Sequence, residues 1–308
     1  MKIAITGATG FIGKFLVQKL SQANHSLLIL TRNVEHSQKI FPLNDYPNLE
    51  ISPYVATESG PWQESISNCD AVINLAGEPI AQRWTSEQKK NILESRQVGT
   101  AKIVEAINKS QQKSKVLINA SAIGYYGSSQ SATFMENSAA GEDFLAEVCQ
   151  GWEAQAKQVN QEQTRLVILR FGIVLGDGGA LAKILPPFKI FAGGPLGSGQ
   201  QWFSWIHILD VVNLIIYALE NTALTGVFNA TAPNPVRMIE LCDTLGKILQ
   251  RPSWLPVPSF ALELLLGEAA QVVLEGQQVL PQRTQENGFI YQYPTLQKAL
   301  EQILHLSR

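Results

Sequence analysis

Residues 1–13, MKIAITGATGFIG, constrain this chain more than any other stretch. A short apolar strand over residues 2–6 runs directly into a turn carrying Gly7, Gly10 and Gly13. A helical spacing of apolar side chains (Phe11, Phe15, Leu16, Leu20) begins at once. Strand, glycine turn and helix in immediate succession are the context in which a glycine triplet holds phosphate. Gly7 permits the tight turn, Gly10 lets the backbone approach a pyrophosphate, and Gly13 lets the helix lie close to the strand. Thr9, Phe11 and Ile12 share this loop and helix start, where free N–H groups and the positive dipole end face an anion. The spacing is G-x-x-G-x-x-G rather than the shorter G-x-G-x-x-G.

Apolar runs at 2–6, 27–31, 49–54, 70–76, 115–121 and 165–171 read as buried parallel strands. Amphipathic stretches at 86–109 and 142–158 lie between the later ones. This βαβ alternation predicts an α/β fold, a Rossmann-like doubly wound parallel sheet with ligands at the carboxyl ends of its strands. With 308 residues, the chain exceeds the roughly 250–300 at which one core stops growing. A Rossmann domain is therefore expected over 1–172. Substrate-cleft segments and a smaller C-terminal lobe, interleaved with it, are expected over 173–308. Glycines and prolines crowd residues 176–199, which reads as a loop-rich cover over the cleft; 208–221 and 237–250 read as helices.

A formal net charge of −2 argues against nucleic acid and anionic membranes as general partners. The longest apolar stretch, 208–219, carries Asp210 and Asn213 and is too short to span a bilayer. The first strand starts at residue 2, so a cytoplasmic location is expected. Three scattered cysteines and four histidines show no metal-ligand spacing, and no metal is expected.

Residues 6–13, 74–77 (NLAG) and 119–127 (NASAIGYYG) make the chain resemble the extended short-chain dehydrogenase/reductase family. More closely it is similar to that family's atypical NAD(P)-dependent epimerase-like branch. Residues 74–80, Arg83-Trp84, Ser95-Arg96, 193–199, 205–207, 274–277 and 280–283 carry this closer likeness. The resemblance covers nearly the whole chain. Cyanobacterial and plastid relatives in this branch bear a cell-division label, so it implies two alternatives. One is an NADP(H)-binding oxidoreductase acting on a small molecule. The other is a non-catalytic NADPH-binding regulator with a protein partner.

Cofactor choice is read at the end of the second strand, where NAD binders place a carboxylate. Here Thr31-Arg32-Asn33 follows Leu30. Arg32 suits a 2′-phosphate, so NADP(H) is expected. Arg96 is a second candidate for charge near that phosphate. By the resemblance, Leu75, Ala76 and Gly77 give backbone contacts to the adenine–ribose side, and Val174 lies near the nicotinamide.

The family's chemistry uses a Ser/Thr with Tyr-x-x-x-Lys. Ser121 falls at the Ser place. Leu145 and Cys149 fall where Tyr and Lys are expected, and no tyrosine lies between Tyr126 and Tyr217. Three readings follow: another acid or base serves, the protein does little chemistry, or water and the substrate supply the proton. Tyr125 is the candidate phenol beside Ser121. Tyr126, Trp205 and His207 are candidate substrate contacts, with Trp84, Trp152 and Trp202 as further candidates for the cleft wall.

Overall fold

The computed structural model describes residues 1–110 and 115–306, with side chains through Leu304. One sheet is built from β1 (Lys2–Thr6), β2 (Ser26–Thr31), β3 (Leu49–Pro53), β4 (Ala71–Asn74), β5 (Val116–Ala122), β6 (Arg165–Phe171) and β7 (Gly226–Ala230). The spatial order is β3-β2-β1-β4-β5-β6-β7, and every neighbouring pair is parallel. The order reverses between β1 and β4, which is where a doubly wound sheet opens a crevice for ligands.

The pleat explains why these strands are apolar on both faces. Ile3, Ile5, Leu27, Ile29, Ala71, Ile73, Val116 and Ile118 enter one core, beneath α1 (Phe11–Gln22). Ala4, Leu28, Leu30, Val72, Leu117 and Ile168 enter a second core on the opposite face. After α2 (Val34–Ile40), the helices α3 (Trp62–Ser67), α4 (Ser86–Lys109) and α5 (Phe144–Ala156) run between strands, and α3 and α4 cover the second core. Alternate side chains point to opposite faces, so a sheet covered twice needs apolar residues at both phases.

The chain after residue 172 is more ordered than a cover loop. Ile173–Leu175 pairs in parallel with Trp205–His207. Between them lies α6 (Gly179–Lys189), whose sequence includes Pro186 and Pro187. α7 (Ile208–Glu220) returns to the main sheet and packs its Val211, Leu214, Ile215 and Ala218 into the first core beside α1. β7 extends the sheet beyond β6; its five residues begin with glycine, too weak a local signal to be foreseen. α8 (Met238–Leu249) and the terminal helix Leu296–Leu306 form a separate apolar cluster with α6, Phe203 and Trp205. The short pairing of Thr133–Phe134 with Gln278–Val279 brings the C-terminal segment back over the end of β5.

The glycine turn sets how closely α1 can approach β1. A Cβ on Gly13 would lie 2.3 Å from the Gly7 carbonyl oxygen and 2.6 Å from Ala8 Cα. Both obstacles are backbone and cannot swing aside. Gly13→Ala is expected to destabilise the fold by about 1–3 kcal/mol through overpacking, read as a lower urea midpoint at unchanged slope.

Candidate active site

The turn after β1 is a cradle that side chains would fill. Gly7 has φ +68°, and a Cβ there would lie 2.8 Å from the Leu75 carbonyl carbon. Gly10 caps α1 in extended conformation, with no side-chain cap and no acidic residue in the first turn. Backbone N–H groups at this helix start are thus left for an anion. Thr6 holds the opposite wall. Its Oγ1 donates to Asn74 Oδ1 (2.7 Å) and accepts from the Leu75 and Ala76 N–H groups (both 3.2 Å). Asn74 in turn donates to Asn119 Oδ1 (2.7 Å) and Thr100 Oγ1 (3.0 Å). Thr6, Asn74 and Asn119 are partners in register across β1, β4 and β5. Sequence reasoning did not single out this clasp, although polar residues closing apolar strands were its visible signal.

At the end of β2, Thr31 accepts from Ser37 Oγ (2.8 Å), and the Asn33 side chain caps α2 by accepting from the His36 N–H (2.9 Å). Between them the Arg32 side chain is 77% exposed, with Nη1 3.8 Å from Glu78 Oε2. The loop that carries Glu78 is fastened to α4. The Glu78 N–H donates to Ser95 Oγ (3.0 Å), and Arg96 donates to the carbonyls of Glu78 (3.0 Å) and Ile92 (3.1 Å). The Arg96 guanidinium lies against Gly77 and 5.1 Å from the Trp152 ring, and burial pulls its pKa below the ordinary value.

A cleft of about 380 Å³ runs from Ile12 and Leu75 past Ser121, Gly124 and Cys149 to the loop at 275–277. Beneath its floor Ser121 is 1% exposed and donates to Glu153 Oε1 (2.8 Å). Glu153 forms a two-pronged ion pair with Arg170, at 2.7 and 2.8 Å, with both side chains buried. Arg170 also donates to the Tyr126 hydroxyl (2.9 Å), which donates to Asn229 Oδ1 (2.7 Å). Burial works against the Arg170 charge, yet Glu153 and Tyr126 hold its pKa above the ordinary value. Cys149 lines the cleft beside Arg96; burial, with the Glu153 charge, pushes its thiol up to about 11. A thiol so placed is protonated near neutrality and inert.

The sequence model of the NAD dependent epimerase/dehydratase family matches residues 3–230. The chain belongs to that family. A domain of unknown function, DUF1731, matches residues 257–303. The chloroplastic epimerase family protein SDR39U1 homolog of Arabidopsis thaliana is 52% identical over 99% of this chain and 87% of its own length. The epimerase family protein YfhF of Bacillus subtilis is 40% identical over 99% of this chain and 98% of its own. The crystal structure of human epimerase family protein SDR39U1 with NADPH superposes at TM-score 0.87 with 34% identity, covering 99% of both chains.

Within this epimerase-family chain the predicted site residues divide. Gly7, Gly10, Gly13 and Leu75 meet at the cradle, Arg32 stands at its rim, and Arg96 and Ser121 line the cleft. Phe11 does not turn its ring to the cleft. The ring packs over the turn at 176–179, where Cβ atoms on Gly176, Gly178 or Gly179 would come within 2.6–3.0 Å of it. Val174 packs into the first core beside the strand partner Ile206, leaving Gly172 and Ile173 to line the cleft. Tyr125 lies under Arg170, whose Cζ is 3.4 Å from its ring centroid, and is not part of the cleft wall. Tyr126 is buried on the Arg170–Asn229 chain, so it is no substrate contact. Trp205 is fully buried in the third apolar cluster and donates to the Asn234 carbonyl (3.0 Å). Trp152 and Trp202 do line the cleft. Among the described residues no group of His, Cys, Asp and Glu could hold a metal, and no helix is long and apolar enough to cross a membrane.

His207 is likewise no substrate contact. It caps α7, accepting from the Leu209 N–H (3.1 Å) at Nδ1, and pairs with Gln302 (2.8 Å) at Nε2. Burial pushes its pKa down to about 4, opposed by Gln302. In the unfolded chain it titrates near its ordinary value, about 6.5. The unfolded state therefore binds more protons between these values. This contribution to stability is present above pH 6.5 and is lost as pH falls toward 4. His207→Asn, which retains a capping group, is expected to flatten that part of the stability profile by about 1–3 kcal/mol in urea melts. Glu153→Gln leaves Arg170 buried without its counter-ion, and a loss of about 3–5 kcal/mol is expected in the same melts at pH 7.

Proposed function

We propose that this protein is an NADP(H)-binding oxidoreductase of the epimerase type, working without the Tyr-x-x-x-Lys pair. One observation carries the reading: the backbone cradle at Gly7, Gly10 and Gly13 opens beside an exposed Arg32 with no carboxylate in the strand-end run 31–33. The free N–H groups of α1 suit a pyrophosphate, and Leu75, Ala76 and Gly77 suit the adenosine ribose. Arg32 suits the 2′-phosphate. Its contact to Glu78 is long and at the surface, so a phosphate would displace it at little cost. The NADPH held by the human relative supports the same choice.

When bound, the nicotinamide supplies a hydride donor or acceptor. Ser121 commits its proton to Glu153, so its lone pairs suit it to accept from a substrate hydroxyl and orient it. Leu145 and Cys149 bring neither a phenol nor an ammonium to the cleft face of α5. Proton exchange is then left to water or to Ser121 passing its proton to Glu153 as it takes another. The same pair of side chains favours a second reading, a non-catalytic NADPH-responsive regulator.

Titration with NADPH and NADH, followed by quenching of the six tryptophans, tests the cofactor assignment. NADPH is expected to bind at least about tenfold more tightly. Arg32→Ala should remove about 1.5–3 kcal/mol from NADPH binding and leave NADH nearly unchanged. Equal affinities that Arg32→Ala does not alter would overturn it. NADPH consumption with a carbonyl substrate, lost in Ser121→Ala, would reject the regulator reading.

A further inference from the structure

The far half of the cleft is built for an uncharged, largely apolar molecule. Its wall is formed by Ile80, Leu145, Val148, Ile173, Trp202 and Val272. Among the lining residues Arg96 is the one cation, and its Nη1 donates to the carbonyls of Glu78 and Ile92. Arg237, stacked 3.7 Å from the Trp202 ring centroid, is held in the same way by the carbonyls of Gln200 and Gln130. Two carboxylates, Asp143 and Glu275, also line the cleft.

The polar side chains of the wall are largely satisfied from within. Ser204 donates to the Gln277 carbonyl (2.8 Å), Gln277 donates to the Ile123 carbonyl (2.8 Å), and Asp143 accepts from the Ala146 N–H (2.8 Å). Among the fully buried polar atoms of the wall, the Trp152 indole N–H is the exception, meeting no acceptor among the described residues. A buried donor without a partner is costly, and a carbonyl oxygen would relieve it.

We infer that the substrate end takes a small, uncharged, apolar carbonyl compound or the matching alcohol, and rejects nucleoside-diphosphate sugars. This rests on reading the cleft as the substrate end of a cofactor site. A diphosphate brought here would lose water and meet two carboxylates, against one lining cation, Arg96, whose Nη1 is already spent on two carbonyls. Phosphate recognition relies on charge-assisted bonds from Arg or Lys, and a buried charge without them is expelled. An aryl ketone matches each feature: its ring meets the apolar wall, and its single oxygen accepts one hydrogen bond.

The test is equilibrium binding of 1-tetralone and of UDP-glucose to the full chain, with and without saturating NADPH, read by tryptophan quenching and calorimetry. Saturable 1-tetralone binding is expected, weakened at least tenfold by Val272→Asp and less by Val272→Asn, with circular dichroism unchanged. UDP-glucose is expected not to displace 1-tetralone from the NADPH-saturated protein. Displacement by UDP-glucose, absence of 1-tetralone binding, or binding indifferent to both Val272 variants would overturn the inference. NADPH affinity is measured separately. Failure of NADPH to bind would remove the cofactor reading while the ketone result stood, and a ketone failure would leave the cofactor reading intact.

Discussion

The buried Arg170–Glu153 pair is the interaction on which the cleft depends. It joins β6 to α5 through two parallel hydrogen bonds beneath the cleft. Ser121 at the end of β5 donates to the same carboxylate, while Tyr125 and Tyr126 stack beneath the guanidinium. Removing two charges from water is expensive, and such a pair persists when its geometry is good and its other donors and acceptors are used. Here they are: Arg170 also reaches the Tyr126 hydroxyl and the Glu136 carbonyl. Its gain is therefore best seen as order, because it fixes three strands and a helix in one register at the point where chemistry would occur.

A second constraint, free of charge, works at the glycine turn. Thr6, Asn74, Asn119 and Thr100 form a chain of neutral hydrogen bonds across the carboxyl ends of β1, β4 and β5. It shapes the loop after β4 so that Leu75 lies against Gly7, and that closeness is what excludes a side chain there. The two networks divide the labour. The neutral one sets the width of the glycine cradle, and the ionic one sets the floor of the cleft.

Much of the fold was legible because it is written in local periods. The six foreseen strands lie within two residues of their observed bounds, and the helix at 86–109 matches α4 end to end. The cradle was legible too, since glycine at three fixed offsets between a strand and a helix answers to few other purposes. Less legible were residues whose role depends on a distant partner. Trp205 looked like a cleft residue because it follows a glycine-rich run, and His207 because an imidazole titrates near neutrality. They instead pair with the strand Ile173–Leu175, which carries them into the interior. Tyr126 looked like a free phenol until Arg170, 44 positions on, was found holding it.

By itself the sequence determined the parallel sheet, the glycine turn, the Arg at the end of β2, and the lack of a Tyr and Lys on α5. Each of these is a matter of residue type at short spacing, where pleat, helix pitch and glycine's backbone freedom leave little choice. Only the tertiary structure decided which polar side chains face the cleft and which are consumed within the protein. Ser121 reaches the cleft with its proton already given to Glu153, Arg96 with its Nη1 given to two carbonyls, and Phe11 leaves it for the glycines at 176–179. Those outcomes are set by contacts between residues far apart in the chain. Such contacts form when both cores close on the sheet, and no local pattern records them.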